Sequence, residues 1–133
     1  MNILVIDAQG GGIGRQLVAA AKEALPQARL TAVGTNTLAT SAMLKAGADA
    51  AATGENAVVV NCKKADVIVG PIGIVIADSL LGEVTPAMAC AVAQSRAKRI
   101  LIPINHCDNI VVGVSNLNTG KLIQDAMEEL RKI

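Results

Sequence analysis

Two sets of residues in this chain have the types and spacing to do chemistry. The first is Asp7 followed at once by Gln9, Gly10, Gly11, Gly12, Ile13 and Gly14, an acid and then a glycine cluster. Glycines at a tight turn admit positive φ and let the backbone come close to a guest. The free N–H groups of a helix that starts there, with its dipole, favour an anion, so a phosphate is the chemistry implied. The second set is dispersed: Thr35 and Asn36, then Gly54, Glu55 and Asn56, then Gly70, Pro71 and Gly73, with Asp78, Glu83, His106 and Cys107 beyond. The glycine cluster is expected to hold the phosphate, and the residues from Thr35 to Gly73 to line the rest of the site.

Each candidate has a plainer reading beside the chemical one. Asp7 next to a phosphate would repel it unless Mg²⁺ bridged them, so its expected role is to hold the turn's own N–H groups. Thr35 and Asn36 either hydrogen-bond a ribose or a 2′-phosphate, or cap the next helix. Glu55 falls in the first turn of an expected helix, where its charge suits the dipole. Adjacent residues rarely point at each other, so His106 and Cys107 are expected to be loop residues and not a base and nucleophile. Asp78 and Glu83 either face the cleft as acid and base or cap helix ends.

The glycine cluster matches known phosphate turns only in part. Gly10 and Gly12 fit the first two positions of the dinucleotide fingerprint, but Arg15 stands where its third glycine belongs. Gly12-Ile13-Gly14 matches half of the short-chain dehydrogenase pattern, with Asp7-Ala8 in place of its opening Thr-Gly. Laid over the deviant Walker A loop, Arg15 replaces the phosphate lysine and Gln16 the Mg²⁺-binding hydroxyl, which ranks ATP hydrolysis below simple binding. No Asp or Glu stands some 20 residues past the glycines, where a classic NAD site has one for the ribose.

The elements that must position these residues alternate in type. Ile3 to Ile6 reads as a strand, Leu17 to Leu25 as a helix closed by Pro26, and Arg29 to Val33 as a strand. Leu38 to Ala46 is a helix stopped by Gly47, Ala48 to Ala52 a short strand, Glu55 to Lys64 a helix, and Ala65 to Gly70 a strand. The apolar run Ile74 to Ala77 and the segment after it must be buried under the sheet or against another subunit. Thr85-Pro86 opens a helix to about Arg96, with strands at Arg99 to Ile104 and Ile110 to Val114 and a final helix over Leu117 to Leu130. The alternation predicts an α/β fold over residues 1–133 as one domain: a three-layer, Rossmann-like, doubly wound, mostly parallel sheet of five to six strands. In such a sheet ligands bind beyond the carboxyl ends of the strands, which gathers the candidate residues on one rim.

Composition narrows the partners. Charged residues make up 17% against roughly 25% in an average soluble protein, while apolar residues make up 52%. Few charges remain to cover a monomer, so a homo-oligomer is expected, joined through the Ile72–Leu81 region. With no Phe, Trp or Tyr there is no stacking platform for nucleic acid, and a net charge of +1 gives no field toward it. Cys62, Cys90 and Cys107 form no CxxC pair, so no metal site is expected; Cys62 and Cys90 read as core residues and the thiols as reduced. No signal segment and no membrane-length apolar run is visible, which predicts a cytoplasmic chain.

With these segments in view the chain resembles a family of short bacterial proteins known only as a domain of unknown function. The likeness is carried by Gln9-Gly10-Gly11-Gly12-Ile13-Gly14, Gly34-Thr35-Asn36, Thr40 to Gly47, Thr53-Gly54-Glu55-Asn56, Gly70-Pro71-Ile72-Gly73 and Asp78 to Glu83. The family pattern prefers a glycine where this chain has Ala8. The resemblance implies the fold and brings no activity or catalytic residue. The residues therefore predict a nucleotide- or dinucleotide-phosphate-binding protein, with NADP, NAD or another nucleotide as the cofactor class. The alternative, from a different class, is a non-catalytic self-associating interaction subunit.

Overall fold

A computed structural model describes residues 1–104, 108–114 and 118–133. Its five strands are β1 (Asn2–Asp7), β2 (Arg29–Gly34), β3 (Ala50–Thr53), β4 (Val67–Pro71) and β5 (Lys98–Ile102). They form one sheet in the order β3-β2-β1-β4-β5, and every pairing is parallel. Five helices connect or follow them: α1 (Gly12–Ala24), α2 (Thr37–Lys45), α3 (Glu55–Cys62), α4 (Pro86–Gln94) and α5 (Thr119–Arg131), with a 3₁₀ turn at Ile72–Val75.

Parallel strands covered on both faces should be apolar on both faces, and β1 is. Ile3 and Val5 join a core with Leu17, Val18, Met43, Ile123 and Leu130, which places α1, α2 and α5 on one face. Leu4 and Ile6 join the opposite core with Val58, Ile68, Ile74, Met88 and Val92, which places α3 and α4 on the other. Strand order reverses at β1, so the carboxyl ends of β1 and β4 diverge there and leave a crevice. The register aligns Asp7 with Gly34 and Gly34 with Thr53, so three of the predicted segments begin at one level.

Local signals set the boundaries. Asn36 accepts the Ala39 N–H and caps α2, Thr85 accepts the Met88 N–H and caps α4 ahead of Pro86, and Leu25 ends α1 just before Pro26. Arg99 donates to the carbonyls of Ser95 and Ala97, so the basic Arg96–Arg99 stretch satisfies the end of α4.

Two expectations are corrected. Helix α1 begins at Gly12, not near Leu17, because Gly11 at φ +71° reverses the chain directly into it. Residues 110–114 form no strand: Asp108 and Gly113 have positive φ, and Ile110 and Val112 lie almost fully in solvent. Within the Ile72–Leu81 run Gly73, Ile74, Ser79 and Leu80 are buried, Ile74 and Leu80 against the α4 face, whereas Ala77, Asp78 and Leu81 are exposed. The expected loop at 105–107 and the start of the last helix at Leu117 lie outside the described residues. No helix among the described residues is long and apolar enough to cross a membrane.

Candidate functional site

The site starts from Asp7 at the end of β1. Its Oδ1 accepts the Ala8 N–H at 2.8 Å and its Oδ2 accepts the Gly14 N–H at 2.6 Å, so the acid holds the turn, as expected. Burial pushes this carboxyl above its ordinary range, outweighing the two amides that pull it down, and the charge of Glu83 adds to the rise. Between these anchors the chain passes through left-handed Gln9 and Gly11, with the Gly11 N–H on the Ala8 carbonyl at 3.0 Å.

That arrangement uses some of the amides at the start of α1 and leaves others. Gly14 gives its N–H to Asp7 and Arg15 gives its own to the Gly11 carbonyl. The N–H groups of Gly10, Gly12 and Ile13 have no partner among the described residues. All three residues line a cavity of about 280 Å³, together with Asp7, Gln9, Gly11, Gln16, Pro71, Leu80 and Thr119.

Steric surroundings separate the glycines into two kinds. A Cβ on Gly14 would lie 2.6 Å from the Met43 sulfur and 2.7 Å from the Asp7 Cβ, so Gly14 lets α1 approach β1 and α2 closely. It does here what the third glycine of the fingerprint does, one position before Arg15. Gly11 is pressed against Ala39, and Gly70 against the Ile6 carbonyl. Gly73 packs on Ser79 and Leu80. Gly10 and Gly12 are different: neither has a positive φ, and a Cβ on either would meet nothing within 4 Å.

A second centre, Glu83, lies beside the first. It comes from the loop between the 3₁₀ turn and α4, and its Oε1 accepts the Gln9 N–H at 3.0 Å, the Thr35 hydroxyl at 2.8 Å and the Asn36 Nδ2 at 2.6 Å. Partial desolvation pushes the Glu83 carboxyl up, but these three bonds together outweigh it and hold the group below its ordinary range. Asn36 also donates to the Gln9 carbonyl at 2.9 Å. Thr35 and Asn36 thus bind Glu83 and the turn. Glu83's role is not visible in the sequence, because its partners are 47 to 74 residues away and only the placement of β4 beside β1 brings them near.

Other candidates fall elsewhere. Gly54, Glu55 and Asn56 open α3 and do not line the cavity; Glu55 accepts the Thr85 hydroxyl at 2.6 Å. Gln16 lines the cavity and donates its side-chain amide to the Gly12 carbonyl at 2.9 Å, and Arg15 is exposed outside the cavity. Cys62 is buried and its thiol is pushed up to about 11, whereas Cys90, expected in the core, is exposed on α4. Both thiols line a groove of about 640 Å³ between α3 and α4, away from the glycine turn. His106 and Cys107 lie outside the described residues.

An all-parallel sheet wound on both faces, with a glycine turn and a helix start at the point where strand order reverses, defines a Rossmann-like α/β protein. Residues 2–133 match the family model described as Domain of unknown function (DUF3842), and the chain belongs to that family. No curated protein matches it in sequence. Among solved structures it is similar to a dodecameric FMN-dependent Ubix-like decarboxylase from Escherichia coli O157:H7. The identity is 18% and the TM-score 0.47, over 99% of this chain and 75% of that one.

Proposed function

We propose that this chain binds a nucleotide or dinucleotide through its phosphate, seated on the Gly10, Gly12 and Ile13 amides. The observation that carries this reading is that Gly10 and Gly12 have no internal reason to be glycine, whereas Gly14 and Gly70 do. A bare backbone in open space, beside unpartnered N–H groups at a helix start, is suited to the close approach of an anion. Gln9, Gly11 and Pro71 border the same cavity, and Thr35 and Asn36 sit next to it through Gln9. Gly14, Gly70 and Gly73 act in this reading by packing, and Gly54, Glu55 and Asn56 by starting α3. Asp7 is the one titratable side chain lining the cavity among the described residues, and both of its oxygens are engaged. The reading is therefore one of binding, with no reaction assigned.

Thermal unfolding with NAD, NADP, ATP, GTP, AMP and sugar phosphates tests it. A ligand at a hundred times its Kd stabilises the fold by about 2.7 kcal/mol. The expected result is a raised midpoint with at least one nucleotide, lost in Gly10→Ala and Gly12→Ala while their unliganded midpoints stay near that of the parent chain. No response to any compound would overturn the reading.

Leu81 favours a second reading, the self-associating interaction subunit. Its side chain is 96% exposed although its neighbour Leu80 is buried, and Ile110 and Val112 are similarly exposed. The interface expected over Ile72–Leu81 then rests on Leu81, since Ile74 and Leu80 serve the chain's own core.

A further inference from the structure

We propose that the bound nucleotide carries a ribose with both hydroxyls free, and that Glu83 is the specificity-determining residue that accepts them. The inference rests on the nucleotide reading above and deepens it.

In a doubly wound dinucleotide site the acid that holds the ribose stands at the carboxyl end of the second strand. Here β2 ends in Gly34 and continues into Thr35 and Asn36, with no acid. Glu83 supplies a carboxylate at that same place from a different loop, tied to the Thr35 hydroxyl and the Asn36 amide and, through Gln9, to the glycine turn. All three bonds fall on Oε1. Oε2 has no partner among the described residues, and an ionised carboxylate oxygen retains acceptor sites for hydroxyl hydrogens. A vicinal diol fits such an acceptor. A 2′-phosphate does not, because its charge would face the Glu83 carboxylate.

The three bonds on Oε1 also clamp the left-handed Gln9, so a purely structural role must be separable from recognition. Glu83→Gln separates them: the amide oxygen can keep the three donors, while an NH₂ replaces the free acceptor. Binding to the full chain is measured by calorimetry with 5′-AMP, 2′-deoxy-5′-AMP and adenosine 2′,5′-bisphosphate. A hydrogen bond to a charged group is worth about ten- to a hundredfold in affinity. The parent chain is therefore expected to prefer 5′-AMP over both analogues by about tenfold or more, and Glu83→Gln to narrow that preference to a few-fold. Equal affinity for 5′-AMP and the 2′,5′-bisphosphate, or a preference unchanged in Glu83→Gln, would overturn this inference and leave the nucleotide reading standing. Failure of these probes and of every nucleotide in the thermal panel to bind the parent chain would overturn both.

Discussion

Asp7 and Glu83 flank the same turn, yet their surroundings move them in opposite directions. Asp7 is buried with only two N–H donors, so burial pushes its carboxyl above its ordinary range. Glu83 is less buried and has three donors on one oxygen, so its charged form is favoured despite the desolvation. The sign for stability follows by linkage. Asp7 contributes stability that is present below its unfolded value of about 3.9 and is lost as pH rises through the higher folded value. Glu83 contributes stability present above its unfolded value of about 4.3 and lost as pH falls through the lower folded value. Urea unfolding between pH 3 and 7 should therefore show the gap between the parent chain and Asp7→Asn shrinking as pH rises. The gap to Glu83→Gln should grow over the same range. Two gaps that run parallel would refute this account of the turn. The role of Asp7 was legible in the sequence, since an acid at the last strand position before a glycine cluster has the new helix's amides within reach. That of Glu83 was not, because it depends on which strand neighbours β1.

At the scale of the element, the first helix depends on how closely its start can approach the sheet. Gly14 is the contact point, wedged between the Met43 sulfur and Asp7. Gly14→Ala overpacks that contact and is expected to cost about 1–3 kcal/mol in chemical denaturation, with the Asp7 carboxyl displaced from its amides. Gly10→Ala, in open space, should stay within about 0.5 kcal/mol of the parent chain. Equal costs at the two positions would remove the distinction between packing glycines and ligand glycines on which the functional reading stands. Apolar periodicity and helix stop signals located most elements to within a few residues. They placed the start of α1 too late, because three consecutive glycines read as loop although Gly12 and Gly14 lie inside the helix. They also made a strand of Ile110 to Val114. β-branched residues favour strands only when a neighbour and a core are there to receive them, and here Ile110 and Val112 face solvent.

For the whole molecule, the alternating pattern was enough to give a parallel sheet wound on both faces, while the reversal of strand order that opens the crevice at β1 appeared only with the pairing. The accessible surface is 6768 Å², close to the roughly 6500 Å² expected of a compact chain of this mass. The apolar composition therefore does not reflect a loose fold; what matters is which residues occupy the surface. Leu81 is the most telling of them. It is 96% exposed and also left-handed at φ +58°, a conformation that costs a non-glycine residue about 1–2 kcal/mol. Within one chain it bears both penalties and packs against nothing. A second copy that buries Leu81 would return apolar contact for that strain. The parent chain is then expected to unfold at a midpoint that rises with protein concentration, and light scattering should show a species larger than the monomer. Leu81→Gly removes the side chain and relaxes the backbone together, so it should abolish the concentration dependence and yield a monomer. If instead the parent chain is monomeric with a fixed midpoint, the substitution can act only through the strained backbone and glycine's greater freedom in the unfolded chain, and Leu81 joins no interface.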